Sequence, residues 1–409
     1  MSRALVVVDL GYGDAGKGTT VDWLVRRYGG AACSVVRFNG GPQAEHNVVL
    51  PGGVRHGFST WGSGTLAGAP THLARHVLVN PLNAYAEAEG LRRVGVRRPF
   101  EFLSVDERCP IITPWHVGVN QVREQWRVGG RHGSCGQGVG ATMEDVLAGT
   151  ALRVADLEGP PMRLLARLAE VQEAKEAVLM SEFGAGVRDA PAWAEFFPGD
   201  PRALLEWYRG FVASVHVVRA GTAPWRAETV VFEGAQGVLI DQTHGDAPHN
   251  TWSDCTFRNA EDELLEADWP GDVVRLGVTR TYMVRHGPGA MPTESARLTE
   301  ALLPEPHNQT NLWQGWFRRG FADFPSLQRA VACCGGVDGL VLTHADLGMP
   351  LGRWRVATGQ DVVGLVANPM DVFARELQVP LAAVSWGPTY QQKAALRCGP
   401  LQGRTGRVE

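Results

Sequence analysis

The stretch from residue 6 to residue 20 has residue types and spacing suited to holding phosphate. An apolar run ends at Leu10, and a glycine-rich segment leads through Lys17 into a helical pattern. Glycines let backbone N–H groups approach an anion, a helix N-terminus adds the positive end of its dipole, and a lysine adds a point charge. We therefore expect this segment to bind the phosphates of a nucleotide.

This phosphate loop departs from the Walker A pattern in two ways. The spacing from Gly11 to Lys17 fits the pattern, but Gly18 stands where a hydroxyl would ligate Mg²⁺. Asp14 lies inside the loop, where a carboxylate repels phosphate unless it binds a metal or acts on another part of the substrate. We therefore expect Asp14 to have a chemical role.

Further segments combine glycine with polar residues, and several of them directly follow strand-like runs. Loops at the carboxyl ends of strands are where open α/β sheets bind ligands. A carboxylate such as Asp346 can accept hydrogen bonds from the N1–H and 2-amino groups of guanine. Each segment alone fits an ordinary loop, and His46 alone fits a core or surface histidine. The segments are residues 37–47, 133–140, 232–237 and 343–346, the last paired with 385–388.

Composition limits the classes of partner. The chain has 409 residues, of which 44% are hydrophobic and 20% charged, so it can bury a large core. A formal net charge of −4 argues against nucleic acid or an anionic membrane as a bulk electrostatic partner. The seven cysteines are scattered without a C-x-x-C pair, which favours reduced thiols over a disulfide framework or a zinc site. We expect a cytoplasmic protein with neither nucleic acid nor membrane as a partner.

The pattern of elements predicts an α/β fold with a large, mostly parallel central sheet flanked by helices. The strand-like runs are continuously apolar, which is typical of strands covered on both faces. We expect one domain over residues 1–409, with a helical insertion at about 80–225 and a polar substrate loop at about 304–324. The predicted strands are Ala4–Leu10, Ser34–Phe38, Thr229–Phe232, Val273–Val278, Gly339–Thr343 and Leu381–Ser385.

Taken together and in this order, the motifs resemble those of adenylosuccinate synthetases. The resemblance runs from about Ala4 to Pro388 and implies the P-loop-like fold of that family. It also implies a Mg²⁺-dependent homodimer that uses GTP to phosphorylate the 6-oxygen of IMP and then joins the 6-carbon to the amine of aspartate. The resemblance is strongest at Gly13–Gly18, Arg37–His46, Phe232–Asp241 and Met291–Glu294.

The resemblance also implies roles for individual residues. Asp14 matches the base that takes the N1 proton and also the metal ligand. Glu45 replaces a family glycine whose backbone helps bind the metal, and we expect it to be a second metal position. His46 matches the general acid, and Lys17 matches a residue that stabilises the transferring phosphoryl group. The implied GTP-binding residues are Gly13, Gly16, Gly18, Thr19, His344, Asp346, Gly387 and Pro388. The implied substrate-binding residues are Gln43, Ser134, Cys135, Arg153, Gln236, Thr251, Arg285 and Arg318.

The departures from the family pattern concentrate on two ligands. Residues 311–318 stand where the family has an arginine-rich loop for aspartate, and two tryptophans and a phenylalanine there favour an apolar or aromatic-lined site. The arginine that a partner subunit normally lends to the nucleotide phosphate is Gly149 here. The ordinary reaction with IMP and aspartate therefore stands beside a paralogue with another amine donor or a modified purine nucleotide or nucleoside. A third alternative is a nucleotide-binding protein without catalysis, which the combination of Asp14, Lys17 and His46 disfavours.

Overall fold

A computed structural model describes residues 2–127, 132–225, 227–305, 308, 313–347, 351–355, 360–365, 368–396 and 399–401. The strands within these ranges are β1 Arg3–Asp9, β2 Cys33–Arg37, β3 His46–Val49, β4 Arg55–Phe58, β5 Thr71–Leu73, β6 Leu103–Asp106, β7 His216–Val218, β8 Thr229–Glu233, β9 Asp272–Arg280, β10 Met283–His286, β11 Phe317–Gly320, β12 Ala322–Asp323, β13 Gly339–Thr343, β14 Leu351–Arg355, β15 Asp361–Leu365, β16 Leu381–Ser385 and β17 Lys393–Ala395.

Helices connect most of the parallel strands. They are α1 Lys17–Arg27, α2 Pro81–Arg93, α3 Pro114–Trp126, α4 Val139–Ala148, α5 Val154–Leu157, α6 Pro161–Phe183, α7 Pro191–Phe196, α8 Arg202–Ser214, α9 Arg258–Glu266, α10 Phe324–Cys333 and α11 Pro369–Leu377. Among the described residues, no helix is both long and apolar enough to cross a membrane.

One ten-stranded sheet organises the molecule, in the order β17-β16-β13-β9-β1-β8-β2-β5-β6-β7. All neighbouring pairs are parallel except β16 with β17. The central strands are buried on both faces, as their continuous apolar runs predict. The predicted α/β fold with a mostly parallel sheet is confirmed.

Parallel packing places the carboxyl ends of β1, β2, β8, β9 and β13 along one edge of the sheet. The phosphate loop follows β1, the histidine loop follows β2, and the Glu-Gly-Ala-Gln-Gly segment begins at the end of β8. The segments singled out from the sequence therefore share this edge, which is where such sheets bind ligands.

Two predictions about chain organisation differ from the structure. The region at about 80–225 is largely helical, but β6 and β7 within it extend the main sheet at one edge. The end of the loop predicted at about 304–324 contains β11 and β12, and β11 pairs antiparallel with β10. Residues 306, 307 and 309–312 of that loop lie outside the described residues.

Candidate active site

Asp9, the last residue of β1, holds the backbone of the phosphate loop through its carboxylate. Its carboxylate is buried and accepts hydrogen bonds from the backbone N–H groups of Gly11 and Ala15, both at 2.7 Å. Its Oδ2 atom also lies 3.2 Å from Nζ of Lys17. A buried carboxylate needs such partners to offset its desolvation. Asp9 therefore fixes the shape of the loop that the sequence predicts to bind phosphate.

Lys17 lies inside the loop. Its side chain is almost fully buried, and Nζ donates to the carbonyl oxygen of Gly13 at 2.6 Å as well as to Asp9. Gly13 and Gly16 have φ values of +122° and +92°, which favour glycine because other residues are strained there. The predicted phosphate-binding geometry, a tight glycine turn followed by a helix that begins at the lysine, is present.

Gly18 occupies its position for a steric reason. A β-carbon at Gly18 would lie 2.7 Å from Cβ of His46 and 3.0 Å from Oγ of Ser63. The start of α1 thus packs directly against β3, which begins at His46. A serine or threonine of the Walker A type does not fit here, so the missing hydroxyl of the sequence motif follows from the close approach of the histidine.

His46 and Glu233 form a buried imidazole–carboxylate pair. Nδ1 of His46 lies 2.6 Å from Oε1 of Glu233, and the carboxylate also accepts from the backbone N–H and the hydroxyl of Ser63. Burial lowers the pKa of His46, while Glu233 opposes that change. Burial raises the pKa of Glu233, but His46 and Arg37 outweigh it and the pKa is lowered. The pair therefore consists of a neutral imidazole beside an ionised carboxylate at neutral pH.

Asp14 occupies an open position in the same region. Its side chain is 30% exposed, and Oδ2 lies 3.5 Å from Nε2 of His286. The backbone carbonyl of Asp14 accepts a hydrogen bond from Nε of Arg280, which fixes the backbone of the loop at this residue. Arg280 is itself paired with Glu305. The carboxylate of Asp14 is thus held at its backbone and accessible at its oxygens.

Gln236 continues the site from the end of β8. Its φ of +62° is unusual for a residue with a β-carbon, and such backbone strain is often found at functional sites. The next residue, Gly237, has no room for a β-carbon, which would collide with the carbonyl oxygen of Gly11 and the N–H of Gly13. The phosphate loop and the Gln236 loop therefore touch backbone to backbone.

A cavity of about 800 Å³ lies along this edge of the sheet and collects many of the predicted residues. It is bordered by Asp14, His46 and His286 and by residues of the glycine loop at 133–140. The cavity contains ten of the predicted site residues: Gly13, Asp14, Gln43, Glu45, His46, Ser134, Cys135, Gln236, Thr251 and Arg285. The structure therefore brings the predicted catalytic residues Asp14 and His46 together with most of the predicted substrate residues.

The predicted anion-binding hydroxyls lie on the glycine loop and on the segment after β8. Oγ of Ser134 accepts a hydrogen bond from Nδ2 of Asn120 at 2.6 Å. Burial raises the pKa of the Cys135 thiol to about 11, so the thiol stays neutral at physiological pH. Thr251 is anchored through its backbone N–H, which donates to the carbonyl of Ile240 at 2.7 Å. This wall offers neutral hydrogen-bonding groups.

Two predicted arginines of the substrate set have defined partners. Arg285 is buried, donates to the carbonyls of Ala290 and His249, and lies 4.7 Å above the ring centre of Tyr12. Arg318 donates to Glu294 and to the carbonyl of Gly289, each at 2.7 Å. A further predicted position, Arg153, lies at the start of α5 and donates to the carbonyl of Arg108. It is not among the residues that line the described cavity.

The predicted guanine-binding residues lie on α1 and in the segments after β13 and β16, which are next to each other. Oγ1 of Thr19 donates to the carbonyl of Pro388 at 2.7 Å, which joins the phosphate loop helix to the segment after β16. Lys393 donates to the carbonyl of Gly387 at 3.2 Å, and burial lowers the lysine pKa to about 8 while Asp346 opposes this change. Asp346 is exposed in the turn after β13.

His344, which precedes that turn, has an unusual backbone. Its φ is +57°, and its carbonyl accepts a hydrogen bond from Oγ1 of Thr281 at 2.9 Å. Burial lowers the pKa of its imidazole well below the usual range, and the nearby cations Arg280 and Lys393 add to this effect. His344 is therefore a neutral hydrogen-bonding group at this place.

The two predicted metal positions are carboxylates at the wall of the cavity. Asp14 and Glu45 both line the cavity, and the carboxylate of Glu45 lies against Gly57 of β4. No group of three or more His, Cys, Asp or Glu side chains within the described ranges forms a ready-made metal site. Mg²⁺ is commonly held by one or two carboxylates together with substrate phosphates and water. An accessible Asp14 beside a phosphate loop fits that type of site.

Three residues of the candidate site, Asp9, Glu233 and His286, were missed as individual candidates by reasoning from the sequence. Asp9 ends an apolar strand, and a buried acid at that place was a signal that could have been used. Glu233 lay inside a motif singled out for its glycines. His286 carried no signal, because its proximity to Asp14 depends on the pairing of distant strands.

Comparison with known proteins agrees with this geometry. Residues 6–393 match the family model of adenylosuccinate synthetase. The adenylosuccinate synthetase of Acidithiobacillus ferrooxidans is 34% identical over 379 residues, which cover 90% of this chain and 83% of that protein. That of Polaromonas naphthalenivorans is 32% identical over 403 residues, which cover 95% and 86%.

Solved structures show the same fold. A fully ligated adenylosuccinate synthetase from Plasmodium falciparum has a TM-score of 0.72 at 17% identity and covers 96% of this chain and 99% of its own. The succinoaminodeoxyadenylate synthetase of cyanophage S-2L, bound to dGMP and to dATP as an energy donor, has a TM-score of 0.64 at 18% identity and covers 97% and 95%. With the family match over residues 6–393, these findings show that the chain belongs to the adenylosuccinate synthetase family, and it is a GTP-dependent ligase that aminates a purine nucleotide.

Proposed function

We propose that the protein phosphorylates the 6-oxygen of an IMP-like nucleotide with GTP and then replaces that oxygen with an amine. The observation that carries this proposal is the placement of Asp14 and His46 in one cavity beside the phosphate loop, with Glu233 paired to His46. One of these groups is suited to take a proton from the purine, and the other to stabilise charge on the transferred phosphate. Aspartate is the first candidate for the amine donor.

Asp14 acts as the base in this proposal. Its partly exposed carboxylate opens into the cavity, while the loop backbone behind it is fixed by Arg280. Removal of the N1 proton of a hypoxanthine ring places negative charge on the 6-oxygen and makes it nucleophilic towards the γ-phosphorus of GTP. A positioned general base contributes roughly 10²–10⁴-fold to such a step.

His46 acts on the phosphate in this proposal. Nδ1 faces the ionised Glu233, so the neutral ring carries its proton there, and Nε2 is buried without a hydrogen-bond partner among the described residues. A phosphate that arrives next to Nε2 adds negative charge, which favours a second proton on the ring. The imidazolium then donates a hydrogen bond to the phosphate oxygens, where electrostatic stabilisation dominates phosphoryl transfer.

The proposal also assigns residues to Mg²⁺ and to the guanine base of GTP. Asp14, with Glu45 nearby on the cavity wall, would hold Mg²⁺, which when bound neutralises charge on the GTP phosphates. Asp346 would accept hydrogen bonds from guanine, with Thr19 and Pro388 holding the neighbouring backbone in place. A carboxylate at this place discriminates against adenine, which lacks the N1–H and 2-amino donors.

The proposal includes a cytoplasmic location and assembly into a homodimer. All six cysteines within the described residues are free thiols, which supports a reducing, cytoplasmic compartment. Arg153 is held outside the cavity of its own chain, which supports a homodimer in which the partner subunit completes the nucleotide site.

The phosphorylation step can be tested without knowledge of the donor. We would incubate the protein with Mg²⁺, IMP and GTP that carries ¹⁸O in the β–γ bridge, and follow movement of the label into the β non-bridging positions. Exchange that requires IMP and disappears in Asp14→Asn is the expected result. Exchange without IMP, or none with IMP, would overturn the proposal. Product formation with aspartate, followed by mass spectrometry, would then test the first donor.

A further inference from the structure

A buried chain of hydrogen bonds leads from the cavity wall to the backbone of Asp14. It runs from Asn308 through Glu305 to Arg280, and its last two members form an ion pair. We propose that Glu305 is a positioning residue for Asp14 that acts through Arg280, and that Asn308 joins this pair to the cavity. This inference rests on the proposed function, because it assumes that Asp14 is the base.

The peptide group between Asp14 and Ala15 is held at both of its polar atoms. Its carbonyl oxygen accepts a hydrogen bond from Nε of Arg280, and its N–H donates to the buried carboxylate of Asp9 at 2.7 Å. Arg280 reaches this group because it ends β9, which pairs with β1. A peptide group anchored at both atoms cannot rotate, so the backbone angle ψ of Asp14 is fixed, and with it the direction in which its side chain leaves the loop.

Glu305 compensates the charge of Arg280 inside the protein. Both side chains are 6% exposed. Burial opposes the charge of Arg280, but the carboxylate of Glu305 outweighs burial and raises the pKa of the guanidinium. Removal of one partner from a buried ion pair is strongly unfavourable, because the remaining charge is then desolvated without compensation. Arg280 therefore depends on Glu305 to remain buried beside the phosphate loop.

Tyr282 fixes how these two side chains meet. Its hydroxyl accepts a hydrogen bond from Nη1 of Arg280 at 2.8 Å and donates to Oε1 of Glu305 at 2.7 Å, and the residue is 1% exposed. Because the terminal nitrogens of Arg280 point to Tyr282 and Glu305, its Nε is left to face Asp14. The orientation of the guanidinium is therefore set by two partners outside the phosphate loop.

The other oxygen of Glu305 is bonded to a residue of the cavity wall. Oε2 accepts a hydrogen bond from Nδ2 of Asn308 at 3.1 Å, and Asn308 lines the cavity. The backbone N–H of Glu305 donates to Oε1 of Glu300 at 2.7 Å, which anchors its main chain. One carboxylate therefore links a residue of the cavity wall to the guanidinium that holds Asp14.

Stability alone does not account for an ion pair at this place. Replacement of a buried ion pair by apolar residues of similar volume is often neutral or stabilising, because the desolvation of both charges is avoided. Apolar residues could not donate to the carbonyl of Asp14. The charges of Arg280 and Asp14 also attract each other. Glu305 competes for the guanidinium, so the carboxylate oxygens of Asp14 stay free for the substrate.

The test is isotope exchange on the full chain with Mg²⁺, IMP and bridge-labelled GTP, without an amine donor. Glu305→Gln removes the charge that holds Arg280, so the guanidinium can turn towards Asp14. A shift of about 1 Å in a catalytic group can cost about 10²-fold in rate. We expect the maximal exchange rate to fall about 20-fold, with the KM for GTP changed less than threefold. A rate within threefold of wild type, or a KM for GTP that rises as much as the rate falls, would overturn the inference.

Two further variants separate positioning from general loosening of the fold. Glu300→Gln is the matched control, because this carboxylate is 62% exposed and a glutamine still accepts the N–H of Glu305. Its exchange rate should stay within twofold of wild type, and an equal loss in both variants would overturn the inference. Tyr282→Phe removes only the hydroxyl between Arg280 and Glu305, so it provides the test where Glu305→Gln fails to fold. It should lower the exchange rate about fivefold, and a wild-type rate would contradict the role of the pair.

The exchange rate of the wild-type protein separates the two proposals. If exchange requires IMP and is lost in Asp14→Asn, but Glu305→Gln exchanges as fast as wild type, the positioning inference fails and the proposed function stands. If the wild-type protein shows no exchange, the proposed function fails, and the positioning inference fails with it.

Discussion

The two carboxylate–imidazole pairs of the candidate site, His46 with Glu233 and Asp14 with His286, are built in opposite ways. His46 and Glu233 lie 2.6 Å apart, and their side chains are 6% and 0% exposed. Asp14 and His286 lie 3.5 Å apart, and their side chains are 30% and 21% exposed. The first pair is closed by hydrogen bonds from Ser63, whereas the second has free space around its oxygens and faces the cavity. The same two functional groups are thus prepared for different tasks.

The two pairs differ in how easily a proton can be exchanged with a ligand. In the closed pair, burial and the carboxylate together fix the proton on Nδ1 of His46 and leave Nε2 to respond to a ligand. In the open pair, the carboxylate of Asp14 can approach a substrate proton without first breaking a short hydrogen bond. A phosphate stabiliser benefits from preorganisation, and a base benefits from access.

Removal of the open carboxylate should have the largest effect. Asp14→Asn keeps the size of the side chain but cannot accept the N1 proton as a carboxylate does, so we expect turnover to fall by about 10³-fold or more. The measurement is GTP- and IMP-dependent phosphate release, with thermal unfolding as the control for folding. A variant that retains one tenth of wild-type turnover would show that Asp14 is not the base.

Removal of the Glu233 carboxylate should have the second largest effect on turnover. Glu233→Gln leaves a hydrogen-bonding group beside His46 but removes the charge that opposes the lowering of its pKa. We expect turnover to fall by about 10²-fold, and the rate to decline with rising pH from a lower pH than in the wild type, because the imidazolium is lost earlier. A pH–rate profile of kcat measures both. An unshifted alkaline limb would contradict the proposed role of the pair.

A packing change next to the closed pair should have a smaller effect. Gly18→Ala places a β-carbon 2.7 Å from Cβ of His46, so the ring must move or the helix must shift. We expect a loss of about 1–3 kcal/mol in the free energy of unfolding and about a tenfold loss of turnover. Urea unfolding and steady-state rates give the two values. Gly186→Ala is the control, since no atom lies within 4 Å of its β-carbon position, and it should leave turnover unchanged.

The smallest effect is expected at the imidazole of the open pair. His286→Gln retains a hydrogen-bond donor near the place of Nε2, so it should keep the orientation of Asp14 and cost less than threefold in kcat. His286→Val removes that group and should cost about fivefold in kcat with little change in KM for GTP, since the residue faces Asp14. Equal kcat values for the two variants would show that the 3.5 Å contact does not position Asp14.

Features that carry a local sequence signal were predicted correctly, whereas a contact between distant segments was not. The phosphate loop, the loop with His46 and the strands β13 and β16 carry local signals, such as glycine spacing and continuous apolar runs, and all were predicted close to their observed bounds. The contact of His286 with Asp14 has no local signal, because it depends on the pairing of β9 with β1 and on the turn into β10.

Two short strands and the ion pair of Arg318 were not predicted, because each depends on the position of a neighbouring strand. The strands β5 and β7 have three residues each, which is too few for a periodic pattern, and they depend on neighbouring strands for hydrogen bonds. Arg318 was expected to contact substrate, and its engagement with Glu294 could be recognised only when β11 was placed beside β10. Roles of residues in direct contact with bound ligands remain predictions.

The backbone contact between Gly237 and the phosphate loop has a consequence for how the family can diversify. Because the loop that carries Asp14 and the loop that carries Gln236 meet through main-chain atoms alone, no exchange of side chains resets the spacing between them. In the proposed reaction, that spacing sets the distance between the phosphate donor and the purine. Substitutions at other cavity positions can then change the lining of the cavity without moving these two loops relative to each other.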